Sequence, residues 1–291
     1  MMINETQKKR YLGLHLGGAK SDRTAVVVFD VFEEEEPKGG HFKRFLVDIF
    51  SGIRGEPEEG ADENLLRIVK ENQENLRWIG VDAPLSLPPC ILCQLECPGA
   101  QNCSVEAVKW MRRDLEGRLI QPRRGKRHKP IAPYIERPVD VFLRQYLGEG
   151  FGQVAISEAL GATTASKAGR MQYLMRHLKD RNGNPHALIE VNPTLSLALL
   201  KEEFNLTTRD LKYYRDLQEG GSVRMRILDR INEENKVFLY ENDIGTLVSS
   251  LPAFYAFLCA YTAYLSDLGC TVAPEEGFPK ESGWVAIPNR V

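Results

Sequence analysis

Residues 77–103 read RWIGVDAPLSLPPCILCQLECPGAQNC, and this stretch decides the fold class and most of the chemistry. Trp78, Ile79, Gly80 and Val81 are apolar or small and follow a helical run, so they are expected to form a buried strand ending on Asp82. Ala83-Pro84-Leu85 then turns the chain away. A carboxylate at the carboxyl end of a buried strand stands where open α/β sheets place their ligands. Further on, Cys90, Cys93, Cys97 and Cys103 are spaced C-x2-C-x3-C-x5-C, close enough to share one metal. Four thiolates suit a structural zinc ion. The Cys97-Pro98 pair and the tight spacing also fit an iron–sulfur run, and free thiols or disulfides are the plainer reading. Metal would fold a loop too polar to pack unaided.

The chain has 291 residues, 43% hydrophobic and 27% charged, which is ordinary for a globular protein with a full core of its own. With 38 Lys+Arg against 40 Asp+Glu, no global charge draws it to nucleic acid. The charge is uneven, however: Glu33 to Glu36 are acidic and Lys109 to Lys129 strongly basic. The first ten residues lack the apolar core of a secretory leader. The most apolar run, Thr246 to Leu265, contains Ser249, Ser250 and several tyrosines and reads as a buried helix, with no membrane partner. A cytoplasmic protein is expected, where clustered cysteines point to metal more than to disulfides.

Outward from residue 77, strands are expected at Lys9 to Gly17, Thr24 to Phe32 and His41 to Phe50, joined by short turns as an antiparallel meander. A helix at Ala61 to Leu76 leads into the Asp82 strand. Beyond the cysteines, helices are expected at Ser104 to Leu119 (capped by Ser104), Arg137 to Leu147 and within Val154 to Leu178. A strand at His186 to Val191 carries Glu190. Helices follow at Thr194 to Glu203 (capped by Thr194), Thr207 to Gln218, Ser222 to Asn232 and about Ser250 to Leu268, and Trp284 to Ile287 reads as an edge strand. The simplest organisation is one α/β domain over 1–291, carrying a Cys-rich, basic insertion at 90–150. The third strand keeps a free edge.

The order β-β-β-α-β-(insert)-α-β-α resembles the RNase H-like fold: a mixed sheet of three antiparallel strands, then parallel strands, flanked by helices. The segments GLHLGGAKSDRTAVVVFD, WIGVDAPLSLP, ERPVDVFLRQYLG, LIEVNPTLSLALL, LPAFYAFLCAYTAYL and EGFPKESGWVAIP together resemble domain of unknown function 429, a family of predicted nucleases of that fold. The resemblance covers nearly the whole chain. Its most specific pieces are the Asp82-Ala-Pro-Leu turn, the Arg137-x-x-Asp140-x-x-x-Arg144 run and the terminal Gly-Trp segment. It implies acids at the end of the first strand, in the turn and in the last long helix. Here those positions hold His15, Asp82 and Tyr255, so two of the three implied acids are replaced. Arg137, Asp140, Glu190 and Pro193 match the family pattern.

In such a fold the carboxyl ends of the first strand and the Asp82 strand are adjacent, and carboxylates there hold paired Mg2+ ions. With His15 opposite Asp82, a single Mn2+ or Zn2+ held by His15, Asp82 and Glu190 is one expectation, and His15 as a general base is another. A satisfied buried histidine beside a turn-capping aspartate is the structural reading. Asp140 is a further candidate acid. Arg137 and Arg144 either bind substrate or pair with Glu190 and Asp140. Arg123, Arg124, Lys126 and Arg127, with their basic neighbours, suit a phosphate backbone, DNA or RNA. Three functions follow: a metal-dependent nuclease, a nucleic-acid-binding protein of the same fold that has lost its acids, and an ATP-binding protein. The last rests on Leu14 to Asp30, which resembles the first phosphate loop of acetate- and sugar-kinase-like ATPases.

Overall fold

The computed structural model describes residues 7–18, 21–33, 43–117, 131–147, 154, 156–234 and 236–289. Strands β1 (Gln7–His15), β2 (Thr24–Glu33) and β3 (Lys43–Ile53) form the expected antiparallel meander. Helix α1 (Ala61–Glu71) leads to β4 (Leu76–Asp82), which pairs parallel to β1. Later come β5 (Leu188–Val191), parallel to β4, and the short β6 (Val285–Ala286). Among the described residues these make one mixed six-stranded sheet in the order β3-β2-β1-β4-β5-β6, flanked by helices.

Two compact units share the chain, one from Met1–Ala83, Tyr173–Val272 and Ala286–Val291, the other from Pro84–Gln172 and Ala273–Val285. The first contains β1 to β5. Its core is organised by α9 (Leu251–Asp267), whose Ser250 cap accepts from the Ala253 amide and whose chain exits through Gly269 at φ 70°. The helix lies on the sheet with almost no space between backbones. A Cβ on Gly13 would stand 1.9 Å from the Ala256 carbonyl oxygen, and one on Gly80 2.3 Å from that of Cys259. Gly13 and Gly80 are register partners on β1 and β4, so the approach falls at the sheet centre. Tyr11, Ala25, Val27, Phe29 and Leu46 pack on this face with Ala256, Ala260 and Tyr264. Leu12, Leu14, Val26, Val28, Ile79 and Val81, all without exposed surface, alternate onto the other face.

At the last turn of α9, Asp267 accepts from Tyr11 Oη (2.8 Å) and Trp78 Nε1 (3.0 Å), with Arg77 at 3.6 Å. Burial alone would raise its carboxyl, but those two hydrogen bonds and the charges of Arg77 and Lys9 together hold it below the usual carboxylate range. On the meander, Arg10 grips the buried Asp30 through Nε (2.7 Å) and Nη2 (2.8 Å), and Lys8 adds a second cation.

The second unit contains α2 (Glu106–Gly117), α3 (Pro138–Leu147) and α4 (Ala165–Leu174). Trp284 packs its ring on Phe142 (5.0 Å) and Phe278 (4.9 Å), and Phe278 on Trp110 (5.0 Å). Gly283, at φ 71°, lies where a side chain would strike Ser86, whose hydroxyl donates to the Ser282 carbonyl. The terminal Gly-Trp segment is thus a closing piece of this unit.

Several boundaries differ from the sequence expectation. Helix α1 stops at Glu71, because Asn72 bonds back to the Ile68 and Val69 carbonyls and Asn75 takes the left-handed conformation at φ 58°. Only Ala165–Leu174 of the long expected helix is helical, after a turn in which Thr164 bonds to Glu158 and Gly161. Helix α5 (Pro193–Leu199) is capped by Asn192, not Thr194, with its Oδ1 accepting from Leu195. Helix α2 starts at Glu106, two residues after Ser104. Helix α6 (Thr208–Tyr213), where Thr207 and Asp210 form a capping box, ends five residues short of the expected Gln218, and α7 (Gly220–Glu233) covers its expected Ser222 to Asn232. Helix α8 (Glu241–Ser249) was given no element and meets α9 at a 115° bend. Among the described residues no single helix is long and apolar enough to cross a membrane.

Two outcomes follow. Gly13→Ala or Gly80→Ala forces a helix backbone off a sheet backbone and destabilises by about 1–3 kcal/mol or more. By contrast Gly245→Ala, in α8 with nothing near its Cβ, leaves the thermal midpoint unchanged or raised. Because the folded pKa of Asp267 is depressed, its stabilisation is complete above the ordinary carboxylate value of about 4 and is lost as pH falls through the folded value. Urea melts of wild type and Asp267→Asn should therefore differ at neutral pH and converge below about pH 4.

Candidate active site

The pairing register builds the site. Residues paired across parallel strands leave the sheet on the same face, and faces alternate along each strand. Gly13 and Gly80 face α9, so the next pair but one, His15 and Asp82, faces α9 too. These are the last residues of two adjacent parallel strands at the sheet centre. His15 Nδ1 lies 2.6 Å from Asp82 Oδ2. The His15 side chain is 10% exposed and that of Asp82 20%. An ionised carboxylate only accepts, so Nδ1 is the donor in this contact, and in a neutral ring that leaves the lone pair on Nε2.

Tyr255, in the second turn of α9, sets its ring 5.2 Å from the imidazole. Behind it stands Tyr214, the C-terminal cap of α6, with its ring 6.3 Å from that of Tyr255 and its hydroxyl donating to Thr194 Oγ1 (3.2 Å). Burial, and then the neighbouring Tyr255, raise the Tyr214 phenol well above its ordinary value, so it stays a neutral donor. Asp82, His15, Tyr255 and Tyr214 thus make a continuous row. Tyr214 was missed from sequence, where it is one more residue of an expected helix. The only available signal was its tyrosine neighbour Tyr213 at a helix end.

Glu190 does not join this row. It is register partner to Val81, one residue short of Asp82, and so leaves the sheet from the opposite face, 6% exposed. The donor set at the strand ends is therefore one carboxylate, one imidazole and one phenol. Among the described residues no three His, Cys, Asp or Glu side chains converge on a metal-holding group. A two-cation centre needs several converging carboxylate oxygens, and these residues do not fit one.

In the second unit Arg137, Asp140 and Glu136 are buried at the start of α3. Asp140 accepts from the Arg137 amide (2.9 Å), Arg137 Nη2 (2.8 Å) and the Ala159 amide (3.1 Å). Arg137 Nη1 also donates to Ser86 Oγ (3.2 Å). Arg144 pairs with Glu136 and lies 3.5 Å from Glu158. Arg137 and Asp140 thus pair with each other at the first turn of α3, and Arg144, in its last turn, pairs with Glu136. Lys109 and Arg113 pair with Glu106 on α2. Arg123, Arg124, Lys126 and Arg127 lie outside the described residues.

Cys90, Cys93, Cys97 and Cys103 are all free thiols in this unit. Burial first, and then the charges of Cys103, Cys97 and Cys93, raise the Cys90 thiol, so the other three lie within electrostatic reach of Cys90.

Sheet and contact define an α/β protein with a hydrogen-bonded histidine–aspartate pair at the carboxyl ends of its central parallel strands. The family model described as "Protein of unknown function (DUF429)" matches residues 62–277, and the chain belongs to that family. No curated protein and no solved structure matches it.

Removing one partner of a buried, hydrogen-bonded ion pair costs about 3–5 kcal/mol. Asp140→Ala should therefore cost about that much in the urea unfolding free energy, while Lys109→Ala, in an exposed pair, moves it by less than about 1 kcal/mol.

Proposed function

We propose that the chain is a hydrolase of phosphodiester bonds built on an RNase H-like fold, with His15 and Asp82 as its acid–base dyad. The observation that carries this reading is the 2.6 Å contact between His15 Nδ1 and Asp82 at the adjacent ends of β1 and β4. The sheet order β3-β2-β1-β4-β5, antiparallel through β1 and parallel beyond it, supports the fold assignment. Membership of the family agrees with it but assigns no activity. Asp82 holds the ring and stabilises the imidazolium that forms. Nε2 takes a proton from water as its oxygen bonds to phosphorus. The P–O bond to the leaving group breaks, and the departing oxygen takes a proton from solvent. Tyr255 covers one side of the ring and limits its motion. In this scheme the dyad takes the place of the paired cations expected from the resemblance.

One observation favours a second reading. His15 and Tyr255 stand where the family pattern implies acids, which suits a nucleic-acid-binding protein that no longer cuts. Labelled single- and double-stranded DNA and RNA, incubated with EDTA and separately with Mg2+ or Mn2+, decide between them. EDTA-resistant cleavage that falls about 100-fold or more in His15→Ala and in Asp82→Asn supports the dyad. Cleavage only with added cation restores the metal-dependent expectation. Salt-sensitive binding without cleavage, lost when Arg123, Arg124, Lys126 and Arg127 become Ala, establishes the binding protein.

A further inference from the structure

The cysteine loop is built unlike the rest of its unit. Between β4 and α2, residues 83–105 contain neither helix nor strand. Three of its large apolar side chains, Ile91, Leu92 and Leu95, are 45%, 76% and 64% exposed, so the loop has no apolar core of its own. It is pinned instead at its first and last cysteines. The Cys90 amide donates to the Pro133 carbonyl (3.1 Å), and a turn closes from Ile91 back to Pro88 (3.0 Å). At the other end Arg112 of α2 reaches back and donates to the carbonyls of Ala100 (2.5 Å) and Cys103 (3.0 Å). Gly99, at φ 84°, makes the turn that brings Cys103 round. Cys90 and Cys103 are half-buried at these anchors, while Cys93 and Cys97 between them are exposed.

We propose that Cys90, Cys93, Cys97 and Cys103 bind one zinc ion, with Cys93 and Cys97 moving toward the two anchored cysteines to complete the site. The spacings Cys90-x2-Cys93 and Cys93-x3-Cys97 fall within those of zinc knuckles, and four thiolates complete a tetrahedron. Four neighbouring thiolates repel one another when ionised, and a divalent cation turns that repulsion into bonds. No three of these thiols converge in the structure, so binding requires Cys93 and Cys97 to move toward the anchors, and the ion then supplies the cross-link that the loop's apolar residues do not. The site is independent of the hydrolase reading, because the thiols belong to the second unit and His15 and Asp82 to the first.

The test uses the full chain, purified from zinc-supplemented culture without chelator. Elemental analysis should give about one zinc per chain, falling to near zero in Cys93→Ser and Cys97→Ser and unchanged in Cys270→Ser. Cobalt(II) added to the stripped protein should give the visible spectrum of a tetrahedral thiolate site, and zinc should slow modification of Cys93 and Cys97 by a thiol reagent. Wild-type protein that holds no zinc, and whose thiols react equally fast with and without it, overturns the proposal. So does protein that carries iron with inorganic sulfide. Because the Ser variants act on an exposed loop, their circular dichroism should match wild type, which separates loss of metal from loss of fold.

Discussion

The contact on which the first unit depends is that between the backbone of α9 and the two central strands. Helices usually pack on sheets through side chains. Here Gly13 and Gly80 have none, and Ala256 and Cys259 bring their carbonyls to the strand surface. Such an approach gains dispersion over many atoms at once, and it tolerates no added volume. It also sets position along the helix. With the middle of α9 fixed on Gly13 and Gly80, its last turn delivers Asp267 to Tyr11 and Trp78, and its second turn delivers Tyr255 to His15.

The same constraint shapes the chemistry. Register sends His15 and Asp82 toward the helix and Glu190 away from it. A sheet edge or a loop could drift to recruit a second carboxylate, but the ends of two strands locked under a helix cannot. What remains at the strand ends, among the described residues, is an imidazole held by one carboxylate with a phenol ring beside it. The buried ions of the second unit show the opposite economy. Arg137 bonds to Asp140 and Ser86, Arg144 to Glu136 and Glu158, and Asp140 also accepts from backbone amides, so these ions brace the start of α3.

Much of the fold was legible because its signals are local. The β-branched run of β2, the meander and the existence of the Asp82 strand follow from alternation and turns, whereas the parallel placing of that strand and the pairing of His15 with Asp82 were implied by the resemblance to the RNase H-like fold. Caps were read less well: Asn192 and Thr194 are both competent, and only the tertiary bond from Tyr214 to Thr194 shows which one is otherwise engaged. Helix α8 was hidden because its apolar end runs into α9, and the sharp bend lies at a serine that caps one helix as it ends another. The side to which Glu190 points depends on a one-residue offset between β4 and β5, which no composition or period encodes.

The three tryptophans are distributed in a way that has a practical consequence. Trp78 lies in the first unit, its indole tied to Asp267 beneath the end of α9, whereas Trp110 and Trp284 share the aromatic cluster of the second unit around Phe278. The molecule therefore carries a separate intrinsic fluorophore set for each unit. Phenylalanine at position 78 silences one set, and phenylalanine at 110 and 284 the other. Emission from what is left then reports whether the two units melt as one cooperative body or in sequence.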